Sequence, residues 1–168
     1  MLPNHPNLAM RRAVEGDLDR IYEIWRARPG AGSNDRASDG RFHRDGFKEG
    51  VLLSSPFGFW VAQVGGRVVG WSSLTPTRFN PALRETMAEA GAYVDPAHRG
   101  SGLGFEILQF ACHSAHGSPL EWILGYVAAS NAAILAVSRR IGFELVGDIP
   151  AHVKGPRPQV LLLRYRVP

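Results

Sequence analysis

Apolar and polar residues alternate along the chain with two different periods, and the changes of period mark out its elements. Leu8 to Val14 reads as a first strand. From Asp17, the apolar residues Leu18, Ile21, Tyr22 and Trp25 recur at helical spacing. Arg28-Pro29-Gly30 ends that helix. Ala31 to Gly40 is small and polar and reads as a loop, and Arg41 to Leu53 as a helix interrupted by Gly46 and Gly50. Phe57 to Val64 and Arg67 to Leu74 are strand-like runs joined by Gly65-Gly66, a hairpin signal. After a loop containing Pro76 and Pro81, Thr86 to Val94 forms another strand, halted by Asp95-Pro96.

The second half changes rhythm. Gly102 to His116 is helical, Glu121 to Val127 a strand, Asn131 to Ile141 helical, Phe143 to Gly147 a strand, and Gln159 to Arg166 a last strand. Strands alternating with helices after an all-strand hairpin predict a partly parallel sheet joined to an antiparallel front half. The expected class is α/β in the α+β sense. It has a mixed central sheet of six to seven strands, flanked by about four helices. No repeat, low-complexity segment or linker interrupts the chain, so residues 1–168 are expected to form one domain.

Composition removes several classes. At 45% hydrophobic and 20% charged the chain resembles an ordinary water-soluble globular protein, and its apolar stretches are strand-sized, too short for a membrane span. Met1 to Asn7 holds two prolines and lacks the apolar region of a secretory signal. Cys112 is the only cysteine, which excludes an internal disulfide and a thiolate zinc cluster and suits a reducing compartment. The expected location is the cytoplasm. The net charge of +4 comes almost wholly from scattered arginines, Lys48 and Lys154 being the only lysines. No nucleic-acid partner is expected from that distribution.

The most informative segment is Tyr93-Val94-Asp95-Pro96-Ala97-His98-Arg99-Gly100-Ser101-Gly102-Leu103-Gly104, which joins a strand to a helix. Glycines at 100, 102 and 104 remove side chains where backbone amides must approach something bulky. At a helix start those amides are unpaired and the macrodipole favours negative charge, so a pyrophosphate is the expected guest. Within a helix, such glycines cost about 1 kcal/mol each, which a purely structural helix start leaves unexplained. A Walker loop would need Gly-Lys-Ser/Thr, but Gly104 is followed by Phe105 and Glu106. The dinucleotide fingerprint needs a third glycine where Phe105 stands.

The pattern Arg99-x-x-Gly102 with Gly104 resembles motif A of the GNAT acyltransferases. Ser130-Asn131 followed by Arg139-Arg140-Ile141-Gly142-Phe143-Glu144 is similar to the family's second signature. Ala13-Val14-Glu15-Gly16-Asp17-Leu18 is similar to its first strand-to-helix junction. The similarity runs from about residue 8 to 166. Within the family, the chain most resembles the phosphinothricin and methionine-sulfoximine N-acetyltransferases, through Glu89 upstream of Tyr93-Val94 and the last strand. The resemblance implies a GNAT fold and acetyl-CoA as acyl donor, without a metal. It also implies a small-molecule primary amine as acceptor, such as an amino acid or analogue, and often a homodimer. It assigns Tyr93, Val94, Arg99, Gly100, Ser101, Gly102, Leu103, Gly104, Asn131 and Ser138 to the cofactor.

Acetyl transfer to an amine needs a base for the ammonium, a polarised thioester carbonyl and a proton for the leaving thiol. Alternation along Thr86–Val94 puts Met87, Glu89, Gly91 and Tyr93 on one face. By pattern alone Glu89 is either a base or a solvent-facing carboxylate, and the resemblance implies the base. The small residues Ala90, Gly91 and Ala92 allow either a ligand or a helix to come close. The resemblance implies that the pantetheine arm lies alongside this strand, where a main-chain amide near Val94 polarises the thioester oxygen. Asn131 either caps its helix or contacts pantetheine.

One position departs from the family. Five residues before Phe143, many relatives carry Tyr and the phosphinothricin branch commonly His. This chain has Ser138, in an inward stripe with Ile134 and Ile141. A serine hydroxyl there can orient a thiolate, which makes Ser138 a catalytic candidate beside Glu89. It is a poor acid, so the thiolate's proton is left to water or Tyr126 and the acid assignment stays open. Without a stronger acid, a non-catalytic acyl-CoA sensor is one competing reading, and an acetyltransferase of a protein N-terminus, a polyamine or an antibiotic amine is another. Arg78 and Arg84, in the loop before the Glu89 strand, lie within one residue of arginines that amino-acid-acylating relatives use near the acceptor carboxylate, a task suited to guanidinium. His113 and His116 fall with Glu106 and Gln109 on a helix face opposite Leu103, Ile107, Phe110 and Ala111, which predicts solvent exposure rather than a metal. Cys112 reads as a packing residue, and Trp25, Trp60, Trp71 and Trp122 as core or pocket wall.

Overall fold

A computed structural model describes residues 7–28, 44–77, 81–151 and 158–168. Its elements are β1 (Leu8–Arg12), α1 (Leu18–Arg26), α2 (Arg44–Val51), β2 (Gly58–Val64), β3 (Arg67–Pro76), β4 (Met87–Val94), α3 (Leu103–Ser114), β5 (Trp122–Ala128), α4 (Ala132–Ile141), β6 (Glu144–Ile149) and β7 (Val160–Arg166). They follow the sequence periods within one to three residues. The expected helix at Arg41–Leu53 keeps its second part, and its start and the loop Ala31–Gly40 lie outside the described residues.

The seven strands form one mixed sheet in the order β1-β2-β3-β4-β5-β7-β6. Parallel pairing occurs between β4 and β5 alone, the other neighbours being antiparallel. The last strand thus inserts between β5 and β6. No described helix is long and apolar enough to cross a membrane.

Helices cover the sheet from both sides. On one face Leu18, Ile21, Ile24 and Trp25 of α1 and Phe47 and Val51 of α2 pack on Phe59, Val61 and Trp71. Phe59 stacks on Trp71 at 5.2 Å between ring centroids, and Trp71 on Tyr93 at 4.5 Å. The Trp71 indole, 1% exposed, donates to the Ile21 carbonyl at 3.1 Å, so its polar edge is satisfied as its ring is buried. On the other face Leu103, Ile107, Leu108, Ala111 and Cys112 of α3, with Phe143 after α4, pack on the central strands. Trp25, Trp60 and Trp71 are core, whereas Trp122 is half-buried beneath the guanidinium groups of Arg164 and Arg166. Phe110 departs from its expected inward position and is exposed on the outer side of α3 beside Leu8, Met10 and His113. Leu108 and Cys112 take the buried places instead, because the face of α3 toward the sheet is rotated from the one the apolar spacing marked.

Candidate active site

Asp95 closes β4 and launches the glycine-rich turn. Its carboxylate accepts from the Ala97 amide at 2.8 Å and is ion-paired with Arg20 of α1. Its amide donates to the Val69 carbonyl at 2.9 Å. After one 3-10 turn at Pro96–His98, Gly100 and Gly102 take φ of +78° and +87°. A residue with a β carbon pays about 1–2 kcal/mol for that conformation, so Gly-Ser-Gly lets the chain reverse into α3. Gly102 is the N-cap, its carbonyl accepting from the Phe105 amide at 3.0 Å.

A β carbon built at Gly100 or Gly102 meets nothing within 4 Å, and one at Gly104 meets only Val94 Cγ2 at 3.7 Å. The turn therefore opens into space, with the first amides of α3 and the positive end of its dipole beside it. That is a fitting cradle for a pyrophosphate. Ser101 turns its hydroxyl back to the His98 carbonyl at 2.6 Å. Arg99 reaches main chain, donating to the Val94 carbonyl at 3.3 Å and to the Ala27 carbonyl, and so ties the end of α1 to the turn.

From this turn a gap runs into the sheet. Strands β4 and β5 pair at Met87↔Trp122, Ala88↔Ile123 and Glu89↔Leu124, and no further. Beyond Glu89 they part, while β4 stays paired with β3 as far as Val94. The stretch Ala90–Val94 presents its β5-facing edge to the gap over about 17 Å, at about 3.3 Å per residue. Gly91 keeps the strand surface low, since a β carbon there would lie 3.0 Å from Ser73 Oγ and 3.2 Å from the Tyr93 ring. The Tyr93 side chain stacks on Trp71 in the core beneath α1, so only its main chain faces the gap.

Glu89 stands at the inner end of the gap, half-buried. The Thr77 hydroxyl donates to its Oε1 at 3.2 Å. Tyr126 lies two residues beyond Leu124, the register partner of Glu89, and on the same face. Burial, and after it the charge of Glu89, raises the Tyr126 phenol above its ordinary value. Neither Thr77 nor the closeness of Tyr126 to Glu89 has a local signature, because each belongs to a different strand or loop.

Ser138 is 3% exposed, in the inward stripe of α4 with Ile134 and Ile141. Asn131 caps that helix, its Oδ1 accepting from the Ile134 amide at 3.3 Å. Arg84 is exposed just after the turn at Pro81–Leu83, and Arg78 lies outside the described residues. His113 and His116 are exposed with ring centroids 4.8 Å apart. Among the described residues no group of three or more His, Cys, Asp or Glu side chains is arranged to hold a metal. Cys112 is packed in the core, and that burial pushes its thiol up to about 12.

Comparison with known proteins bears on the family and the fold. The sequence profile described as "Acetyltransferase (GNAT) family" matches residues 18–143. The L-methionine sulfoximine/L-methionine sulfone acetyltransferase of Salmonella typhimurium is 27% identical over 146 residues, covering 85% of this chain and 84% of that protein. The protein of the same name from Pseudomonas aeruginosa is 32% identical over 90 residues, 54% of this chain, and the match spans only 52% of its length. Among solved structures, yncA of Salmonella typhimurium, described with its cofactor acetyl-CoA, superposes with a TM-score of 0.80 at 24% identity, covering 96% of this chain and 95% of that one. With most of its length matched by the profile, this chain belongs to the acetyltransferase (GNAT) family.

Proposed function

We propose that the protein, as one catalytic domain, moves the acetyl group of acetyl-CoA to the primary amine of a small amino acid or amino-acid analogue. Glu89 acts as general base. The observation that carries this reading is that one gap has an anion cradle at its mouth and a carboxylate at its inner end. Acetyl-CoA supplies the acetyl group as a thioester. The amides at the start of α3 hold the pyrophosphate, the open edge of Ala90–Val94 pairs with the extended arm, and a β4 amide polarises the thioester oxygen. Glu89 takes the ammonium proton, so that a neutral amine attacks.

The choice of acceptor draws on the relatives, which are named for methionine sulfoximine, methionine sulfone and L-amino acids, and on exposed Arg84 with Arg78 as carboxylate partners. The same reading has the enzyme working in the cytoplasm as a homodimer. The test is coenzyme A release with a panel containing methionine sulfoximine, methionine sulfone, phosphinothricin, a polyamine and an N-terminal peptide. Turnover is expected with the carboxylated amines, and Arg78→Ala and Arg84→Ala should raise KM for these alone. Failure of the parent protein both to bind acetyl-CoA and to turn over any amine would refute the reading. Tight binding without turnover, with Glu89→Gln indistinguishable from the parent, would make it an acyl-CoA sensor.

A further inference from the structure

We propose that Tyr126, on β5, gives the proton that the departing coenzyme A thiolate needs. This rests on the acetyl-transfer reading and names the acid of that same site. The inner end of the gap has two banks, with Glu89 on β4 and Tyr126 on β5. An arm lying along Ala90–Val94 from the cradle ends between them. Tyr126 projects from the same face as Glu89, two residues past Leu124, the last residue of β5 paired with β4.

Other groups near the gap do not serve. Ser138 on α4 is buried, but an aliphatic hydroxyl gives up no proton near neutral pH. Tyr93 is stacked on Trp71 and hydrogen-bonded to Trp25 beneath α1. Cys112 is packed between α3 and the sheet on the other face. Arg164 and Arg166, on the same face as Tyr126, are cations lying over Trp122, 4.9 and 5.9 Å from its ring centroid. A phenol is already protonated at neutral pH, as a proton donor must be, and burial, then the charge of Glu89, shift Tyr126 further in that direction.

The protons balance. The acceptor ammonium gives one proton to Glu89, and the freed nitrogen lone pair attacks the thioester carbon. The C–N bond forms, and the C–S bond then breaks with its electron pair on sulfur. Tyr126 Oη–H transfers its proton to that sulfur. The phenolate takes the second proton from the acylated nitrogen as it becomes an amide. The products are the N-acetyl amine, the free thiol and one proton, which passes from Glu89 to solvent.

Tyr126→Phe keeps the ring and removes the donor. Its kcat should fall by about 10²-fold, as for loss of a general acid, while KM for acetyl-CoA stays within about twofold. A second reading needs no substrate. Phenolate absorbance followed against pH, as the difference between parent and Tyr126→Phe, isolates the Tyr126 titration. In a Glu89→Gln background that titration should move down. Should Tyr126→Phe fail to fold, the difference between the parent and Glu89→Gln curves reads the same shift. A Tyr126→Phe enzyme with kcat within about twofold of the parent, alongside an impaired Glu89→Gln, overturns the assignment and leaves acetyl transfer intact. A Tyr126 titration indifferent to Glu89→Gln overturns the pairing of the two groups. No acetyl-CoA binding or turnover by the parent overturns the underlying reading instead.

Discussion

The Thr77 hydroxyl donates to Glu89 Oε1 at 3.2 Å, across a sequence separation of 12. Thr77 is 2% exposed and its amide bonds back to the Met87 carbonyl at 3.3 Å, so the donor is held firmly while the carboxylate turns toward it. A base is useful only when its oxygen faces the proton that it takes. Thr77→Val keeps the volume and removes the donor, a loss of about 1 kcal/mol and about fivefold in kcat. Thr77→Ser should restore it, and KM for acetyl-CoA should not move. Glu89→Gln, by contrast, should lower kcat by about 10²–10⁴-fold. Steady-state kinetics of the three variants check the order.

The glycines of the turn should separate stability from binding. Gly104 has only ordinary contact for a β carbon, so Gly104→Ala should leave the fold as stable as before or up to about 1 kcal/mol more stable. Acetyl-CoA should nonetheless bind less well, since the added methyl stands at the cradle. Gly102→Ala carries in addition the strain of φ +87°, and should lose about 1–2 kcal/mol of stability. Thermal unfolding and calorimetric titration of both proteins measure the two effects. Undiminished binding by Gly104→Ala would argue against a pyrophosphate on these amides.

Asp17 ties β1 to the start of α1. It accepts from both Arg11 terminal nitrogens at 2.7 and 2.8 Å and from the Val14 amide at 2.9 Å. The Arg11 hydrogen bonds, opposed by desolvation and aided by the Val14 amide, hold its carboxyl below the usual 3.8. Because the folded value lies below the unfolded one, this contribution is fully present above that pH and is lost as pH falls through the folded value. Asp17→Asn should cost about 2 kcal/mol at neutral pH, allowing for the partial exposure of Arg11. That corresponds to a Tm lower by roughly 4–8 °C. The difference from the parent should shrink in acid.

Cys112 should be inert in the folded protein. Its thiol is 1% exposed and lifted to about 12 from an ordinary 9.0, which lowers the thiolate fraction by on the order of 10³. A disulfide reagent should label it only after denaturant is added. Labelling in the native state at the unfolded rate would contradict the burial. Its silence also lets coenzyme A release be followed with such a reagent.

The sequence by itself determined the elements and the glycine-rich turn into α3. Local rules were enough there. Apolar periods of two and 3.6 residues located the strands and helices, and Gly100, Gly102 and Gly104 after Asp95-Pro96 marked a tight turn into a helix start, because positive φ and helix-start amides are properties of adjacent residues. The same locality explains why Asn131 was legible as a cap. Tertiary structure decided the rest. No period announces that β7 inserts between β5 and β6, that β4 and β5 part after Glu89↔Leu124, that Thr77 bonds to Glu89, or that Tyr126 feels its charge. Strand order and register are fixed by the summed burial of residues far apart in the chain. Phe110 and Tyr93 make the point from the other side. Phe110 stays outside because α3 meets the sheet through Leu103, Ile107, Leu108 and Ala111, and Tyr93 turns its ring inward to Trp71. The glycine turn was written in consecutive residues, whereas the inner end of the gap exists only where separate strands come together.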